Sequence, residues 1–109
     1  MIERTERIRA LNDAFRRTFL GGRIVLTSGV NELPNDKKIQ LLRSIQAFDS
    51  FDSSNDPHHE HDFVNVEMDG QTYFAKIDYY DLSLTGGSED PADPTRTTRV
   101  LTIMRADEY

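Results

Sequence analysis

Phe63-Val64-Asn65-Val66-Glu67-Met68-Asp69-Gly70-Gln71-Thr72-Tyr73-Phe74-Ala75-Lys76-Ile77-Asp78-Tyr79 is the stretch whose reading decides the fold. Two runs rich in β-branched and aromatic residues flank Asp69-Gly70, a dipeptide that accepts the positive backbone angles of a two-residue hairpin turn. A turn that tight sets the register. Met68 falls opposite Gln71, Val66 opposite Tyr73, Val64 opposite Ala75 and Asp62 opposite Ile77. Because side chains alternate along a strand, Val64, Val66, Met68, Tyr73, Ala75, Ile77 and Tyr79 collect on one face, the expected core face. The other face pairs Phe63 with Lys76, Asn65 with Phe74 and His61 with Asp78.

Upstream, Ile8, Leu11, Phe15 and Phe19 recur at spacings of three and four and predict a helix over 3–20, with arginines on its other side. Gly21-Gly22 ends it, and the apolar run within 23–27 predicts a short strand buried on both faces. Ser28-Gly29 breaks that strand. Pro34 and Asp36 suit a helix start, and Ile39, Leu42 and Ile45 with Leu41 and Phe48 predict a second helix ending near Phe48. Downstream, 100–104 reads as a closing strand. The order α-β-α-β-β-β predicts an α+β fold, with two helices packed on one face of a mostly antiparallel sheet of about four strands. The expected core holds Leu11, Phe15, Ile24, Leu26, Leu42, Ile45, Val66, Ile77, Leu101 and Ile103. A chain of 109 residues is expected to form one domain, 1–109, with an acidic loop at 49–62 and a long loop at 81–98.

Charge is distributed unevenly. Residues 48–94 carry twelve acidic side chains and one basic one, Lys76, whereas 1–47 carry nine basic against five acidic and 95–109 three against two. All three histidines lie within the acidic stretch, so a site is expected there. The net charge of −6 argues against direct binding to a phosphate backbone, which depends on many Lys and Arg, and favours a protein partner with a basic surface. No run approaches the ~18 apolar residues of a membrane span and the first residues lack a signal-peptide core, so the protein is expected in the cytoplasm, away from the membrane. With no cysteine, disulfides, thiolate metal sites and cysteine nucleophiles are excluded.

Asn55-Asp56-Pro57-His58-His59-Glu60-His61-Asp62 is the densest polar constellation. From a turn, His58 and His61 can reach one divalent ion, with Asp62, Asp56 or the cross-strand Asp78 as a carboxylate ligand. The spacing of a metalloprotease helix or an EF-hand is absent, so no metal is favoured, and the plainer reading is that these residues brace the loop entering the hairpin. A metal-free alternative sets His61 beside Asp78 as an acid and base pair, with Lys76 or a tyrosine steadying an anion; a structural hydrogen bond between the two is the simpler account. Ile77-Asp78-Tyr79-Tyr80-Asp81 combines aromatic area with negative charge, as binding surfaces do, unless Tyr79 is core and Tyr80 only covers the sheet edge. Arg4, Arg7, Arg9, Arg16 and Arg17 give the first helix a basic side, read as solvated or paired with the protein's own acidic loop. No nucleophile elbow and no Walker-type loop is present.

Asn55-Asp56-Pro57-His58-x-Glu60-His61-Asp62-Phe63, Lys76-Ile77-Asp78-Tyr79-Tyr80-Asp81, Ser88-x-Asp90-Pro91-Ala92-Asp93-Pro94 and Arg99-Val100-Leu101-Thr102-Ile103-Met104, in that order, resemble an uncharacterised bacterial family, domain of unknown function 3768, often carried on plasmids and other mobile elements. The likeness spans about 11–109. It leaves His59 at a variable position and so outside the favoured ligands. It implies no activity, only an accessory role such as counter-defence or plasmid maintenance. The reading that unites these features is a small acidic protein that acts by binding a basic host protein, for instance a nucleic-acid-handling complex of a defence system. Asp56, His58, Glu60, His61, Asp62, Lys76, Asp78, Tyr80, Asp81, Asp90 and Asp93 are the expected contact residues. The alternative is a metal-dependent or acid–base hydrolase built on His58, His61, Asp78 and Lys76, with Asp62 as a further metal ligand.

Overall fold

A computed structural model describes residues 2–109. Helix α1 spans Arg4–Thr18, and Phe19 ends it by turning left-handed (φ 59°) while its N–H returns to the Phe15 carbonyl. Its buried stripe is Ile8, Asn12, Phe15 and Arg16, a helical i, i+4, i+7, i+8 pattern that is half polar. Leu11 is only half-buried, and Arg16, expected on the basic side, is completely enclosed. Strand β1 (Gly22–Leu26) follows, then a single-turn helix α2 (Ser28–Asn31) that the Ser28-Gly29 reading as a simple break did not anticipate. Helix α3 (Asn35–Ala47) buries Leu41 and Ile45 four residues apart, which rotates Ile39 outward to 50% exposure.

Strands β2 (Phe63–Met68), β3 (Gln71–Tyr80) and β4 (Thr98–Arg105) complete a four-stranded sheet of order β1-β4-β3-β2. The fold is α+β, and the sheet is mixed: β2, β3 and β4 are antiparallel neighbours, whereas β1 lies parallel to β4 with Ile24 beside Leu101. At the hairpin, Asp69 (φ 53°) and Gly70 (φ 76°) both take positive φ, as a type I′ turn requires. The register is the one read from the sequence, from Met68–Gln71 to Phe63–Lys76, and the Ile77 N–H still reaches the Asp62 carbonyl at 2.8 Å.

The pairing ends there. His61 (φ 54°) and His59 (φ 58°) both turn left-handed, so the chain swings out of the ladder before His61 can face Asp78. Asp78 instead neighbours Val100 on β4.

The helices pack on the sheet face bearing Val64, Met68, Tyr73, Ala75, Ile77, Leu101 and Ile103, and Phe15, Val30, Leu41 and Ile45 close the core against it. Ile24, Leu26, Leu42 and Val66 sit half-buried at its margin. Burying each large aliphatic side chain contributes roughly 1.5–3 kcal/mol. Among the described residues the opposite face, with Asn65, Phe74, Lys76, Asp78, Tyr80, Val100 and Thr102, carries no α-helix. A 3-10 turn (Ala106–Glu108) covers one end, fixed by Glu108, whose carboxylate accepts from Thr27 Oγ1 at 2.7 Å and from the Arg105 and Gly29 N–H groups at 2.9 Å. Among the described residues no helix is long and apolar enough to cross a membrane.

Candidate functional site

The histidine-rich motif folds back onto α1. Fully buried Asn12 donates from Nδ2 to the Glu60 carbonyl at 2.9 Å and to the Tyr79 hydroxyl at 2.8 Å, and its Oδ1 accepts from Arg99 Nε at 2.7 Å. The Tyr79 hydroxyl in turn donates to Glu60 Oε1 at 2.7 Å. Arg99, 3% exposed, also donates to the Pro91 carbonyl and lies over the Tyr79 ring. Burial, then the hydrogen bond to Glu60, pushes the Tyr79 hydroxyl far above the ordinary phenol range, so it remains a donor. Burial lowers the Arg99 pKa, opposed by Tyr79 and Glu60; a guanidinium nevertheless keeps its proton. Asn12 thus ties α1, the motif, β3 and β4 together, and Arg99 extends the network to the long loop.

His61 occupies a second cluster. Its ring stacks on Phe51 with centroids 3.8 Å apart, Nδ1 lies 2.8 Å from Asp13 Oδ1, and Nε2 lies 3.5 Å from Asp56 Oδ2. Asp56, almost entirely buried, also accepts the His61 backbone N–H at 3.0 Å. Arg16 shares Asp13 at 3.0 Å, donates to the Phe48 carbonyl and leaves its Nε without a partner among the described residues. Arg9 donates to the His59 carbonyl, and Arg4 lies 3.4 Å from Asp90. Two arginines of the helix therefore do engage the protein's own loops.

The proposed acid–base pair of His61 and Asp78 is not formed. Asp78 pairs with Lys76 at 3.3 Å on the opposite sheet face, while both His61 ring nitrogens face carboxylates on the helix side. For the same reason His58, His61, Asp62 and Asp78 do not make a ligand set. His58 is exposed, Asp62 is half-buried with its carboxyl raised in pKa mainly by burial, and no group of three His, Cys, Asp or Glu positioned to hold a metal occurs among the described residues.

The long loop is built by its own acids. Asp81 accepts from the Thr85 N–H at 3.0 Å and from Ser83 Oγ, Asp93 from the Thr95 N–H and hydroxyl, and Asp90 from the Ala92 N–H. Hydrogen bonds from Thr85 and Ser83 hold the Asp81 carboxyl below the usual carboxylate range, and those from Thr95 do the same for Asp93. Asp81, Asp90 and Asp93 thus shape the loop rather than standing free.

On the helix-free face the arrangement is open. Phe63, Phe74 and Tyr109 form an aromatic cluster with centroids 5.0–6.1 Å apart, and Lys76 lies 5.9 Å from the Tyr109 ring. Asp78, first of all, raises the Lys76 pKa, so the ammonium keeps its proton at neutral pH. Lys76, Asp78, Thr102, Met104 and Tyr109 surround a shallow basin of about 320 Å³. A neighbouring depression lies among Arg23, Val25, Tyr80, Leu84 and Val100, with Val25 45% and Tyr80 36% exposed.

Of the sequence candidates, Lys76, Asp78 and Tyr80 come together on this face, whereas Asp56, Glu60, His61 and Asp62 gather on the other side. Asn12 and Asp13 were not among the sequence candidates, Arg16 was read only as part of the basic helix side, and Arg99 only as part of a family motif. Two had a signal: Asn12 continues the spacing of Ile8 and Phe15, and Arg99 shares the alternation of Leu101 and Ile103.

A family model described as "Protein of unknown function (DUF3768)" matches residues 26–108, and the chain belongs to that family. No curated protein and no solved structure matches it.

Proposed function

We propose that this DUF3768 member is a binding module that holds a protein partner against the helix-free face of its sheet. One observation carries the reading: this face exposes Val25, Tyr80 and Tyr109, with half-buried Val100, Phe63 and Phe74 beside the Lys76–Asp78 pair, and among the described residues no α-helix lies over it. Aromatic area beside a few oriented charges is the composition of recognition surfaces. The surrounding charge gives the partner its sign. Glu67 is exposed on this face, in line with Asp78, and Glu89 is exposed on the long loop, so a cationic surface fits them. A nucleic-acid-handling host complex, whose basic groove ordinarily receives phosphates, has that chemistry, and an accessory counter-defence role follows from it. The enzymatic alternative has lost its supporting geometry, because His61 is held between Asp13 and Asp56 and Asp78 lies across the sheet.

The test is recovery of co-purifying protein from the natural host by the tagged chain. Glu67→Gln, Asp78→Asn and Tyr80→Ala combined should abolish capture of a basic protein without lowering the melting temperature, and wild-type capture should fall steeply as salt shortens the ~8 Å screening length. His61→Ala should cost stability yet retain capture below its melting temperature. Capture unchanged by the triple substitution rules out this face.

A further inference from the structure

We infer that the chain forms a symmetric dimer by antiparallel pairing of β1 with β1 of a second copy. In the sheet order β1-β4-β3-β2, β1 has β4 on one side and no strand on the other. The Thr27 N–H donates to the Ile103 carbonyl, one step beyond the Leu26–Ile103 partners. In a regular pair, residues of one parity turn both backbone groups toward the neighbour and the intervening ones turn both away. Thr27 shares parity with Arg23 and Val25. Gly22, Ile24 and Leu26 therefore direct their N–H and C=O groups out of the free edge.

Those three residues are self-complementary about Ile24. With Ile24 opposite Ile24 of the second copy, each exchanges both backbone hydrogen bonds with the other, and Gly22 does the same with Leu26 of the second copy at either end. The smallest residue thereby meets a large one on the helix-side face. Gly22 has no alternative there, since a Cβ would lie 2.6 Å from the Phe15 ring and 2.5 Å from the Arg99 carbonyl. On the open face Arg23 meets Val25, so no like charges are directly opposed.

Two of the devices that keep edge strands apart are missing from this edge, whose one charge is Arg23. Gly22–Leu26 contains no proline and no acid, and Val25 is 45% exposed. The other edge is different: β2 exposes Glu67 and is flanked by Asp62 and Asp69, so two copies meeting there would oppose carboxylates. A second copy is thus the occupant that β1 fits. The inference rests on a backbone edge and goes beyond the partner-binding reading. Its failure leaves Asp78 and Tyr80 untouched.

Sedimentation equilibrium from micromolar to submillimolar protein tests it with two substitutions at exposed Val25. Val25→Lys puts a cation opposite Arg23 of the second copy, and Val25→Glu puts an anion there. Each contact occurs twice, so the first should weaken the dimer on the order of tenfold and the second tighten it by a similar factor. Hydrogen exchange adds a backbone readout: the Ile24 amide should slow as concentration rises, while the Val25 amide, already bonded to β4, should not. Wild-type and Val25→Glu chains that both remain monomeric overturn the proposal. A dimer indifferent to both substitutions, or an Ile24 amide indifferent to concentration, overturns it equally.

Discussion

Asn12→Ala is expected to be among the most damaging single changes outside the apolar core. The side chain is fully buried and makes three hydrogen bonds, to the Glu60 carbonyl, the Tyr79 hydroxyl and Arg99 Nε. Neutral bonds contribute ~0.5–1.5 kcal/mol each and one to a charged group ~1.5–3, so the loss comes to roughly 3–5 kcal/mol, most of it from the guanidinium N–H left buried without an acceptor. For a domain near this size ~1 kcal/mol shifts the melting temperature by about 4 °C, and the expected drop is therefore about 12–20 °C. Calorimetry and urea denaturation measure it. The double variant Asn12→Ala/Arg99→Met removes donor and acceptor together, so it should cost less than the sum of the singles by on the order of 1–3 kcal/mol. A drop below about 3 °C, or additive singles, would refute the reasoning that Asn12 compensates a buried Arg99.

Ile45→Ala, at a fully buried position of α3, should cost ~2–5 kcal/mol, read from the urea midpoint. Gly22→Ala should lower the melting temperature, because the added Cβ meets the Arg99 backbone carbonyl, which cannot move aside as a flexible side chain would. Asp62→Asn should stabilise the protein at pH 7 with no gain near pH 3. Burial first, then Glu60 and Asp56, raises this carboxyl above its unfolded value, so its stabilisation is complete below the unfolded pKa and lost as pH rises through the folded one. Thermal melts of both proteins across that range check the sign.

The hairpin was legible because Asp69-Gly70 admits one tight turn and a one-residue slip would carry Val64, Val66 and Tyr73 to the wrong face. What the alternation did not contain was its end. Left-handed turns at His59 and His61 arise from contacts with Asp56, Asp13 and Arg9, distant in sequence or invisible to a strand period. The parallel pairing of β1 with β4 was equally hidden, since it joins segments separated by more than seventy residues and no local pattern distinguishes a parallel from an antiparallel neighbour. Arg16 was read as solvated because charged residues rarely lie fully inside unless paired; Asp13, three residues earlier on α1, is a partner within sequence reach, whereas the Phe48 carbonyl becomes one only once α1 and α3 are packed. The acidic stretch, read as one site, divides between two faces: Asp56 and Glu60 hold the motif on the helix side, and Asp78 with Lys76 and Tyr80 lies on the open one.

Whether the helix-free face is the working surface is tested most directly by photo-crosslinking in the natural host, with a photoreactive residue placed singly at Val100 on that face or at Ser44 on the exposed side of α3. The account predicts a discrete crosslinked product from Val100 that disappears when Asp78→Asn and Tyr80→Ala are added, and none from Ser44. Equal products from both positions, or a product at Ser44 alone, would contradict it.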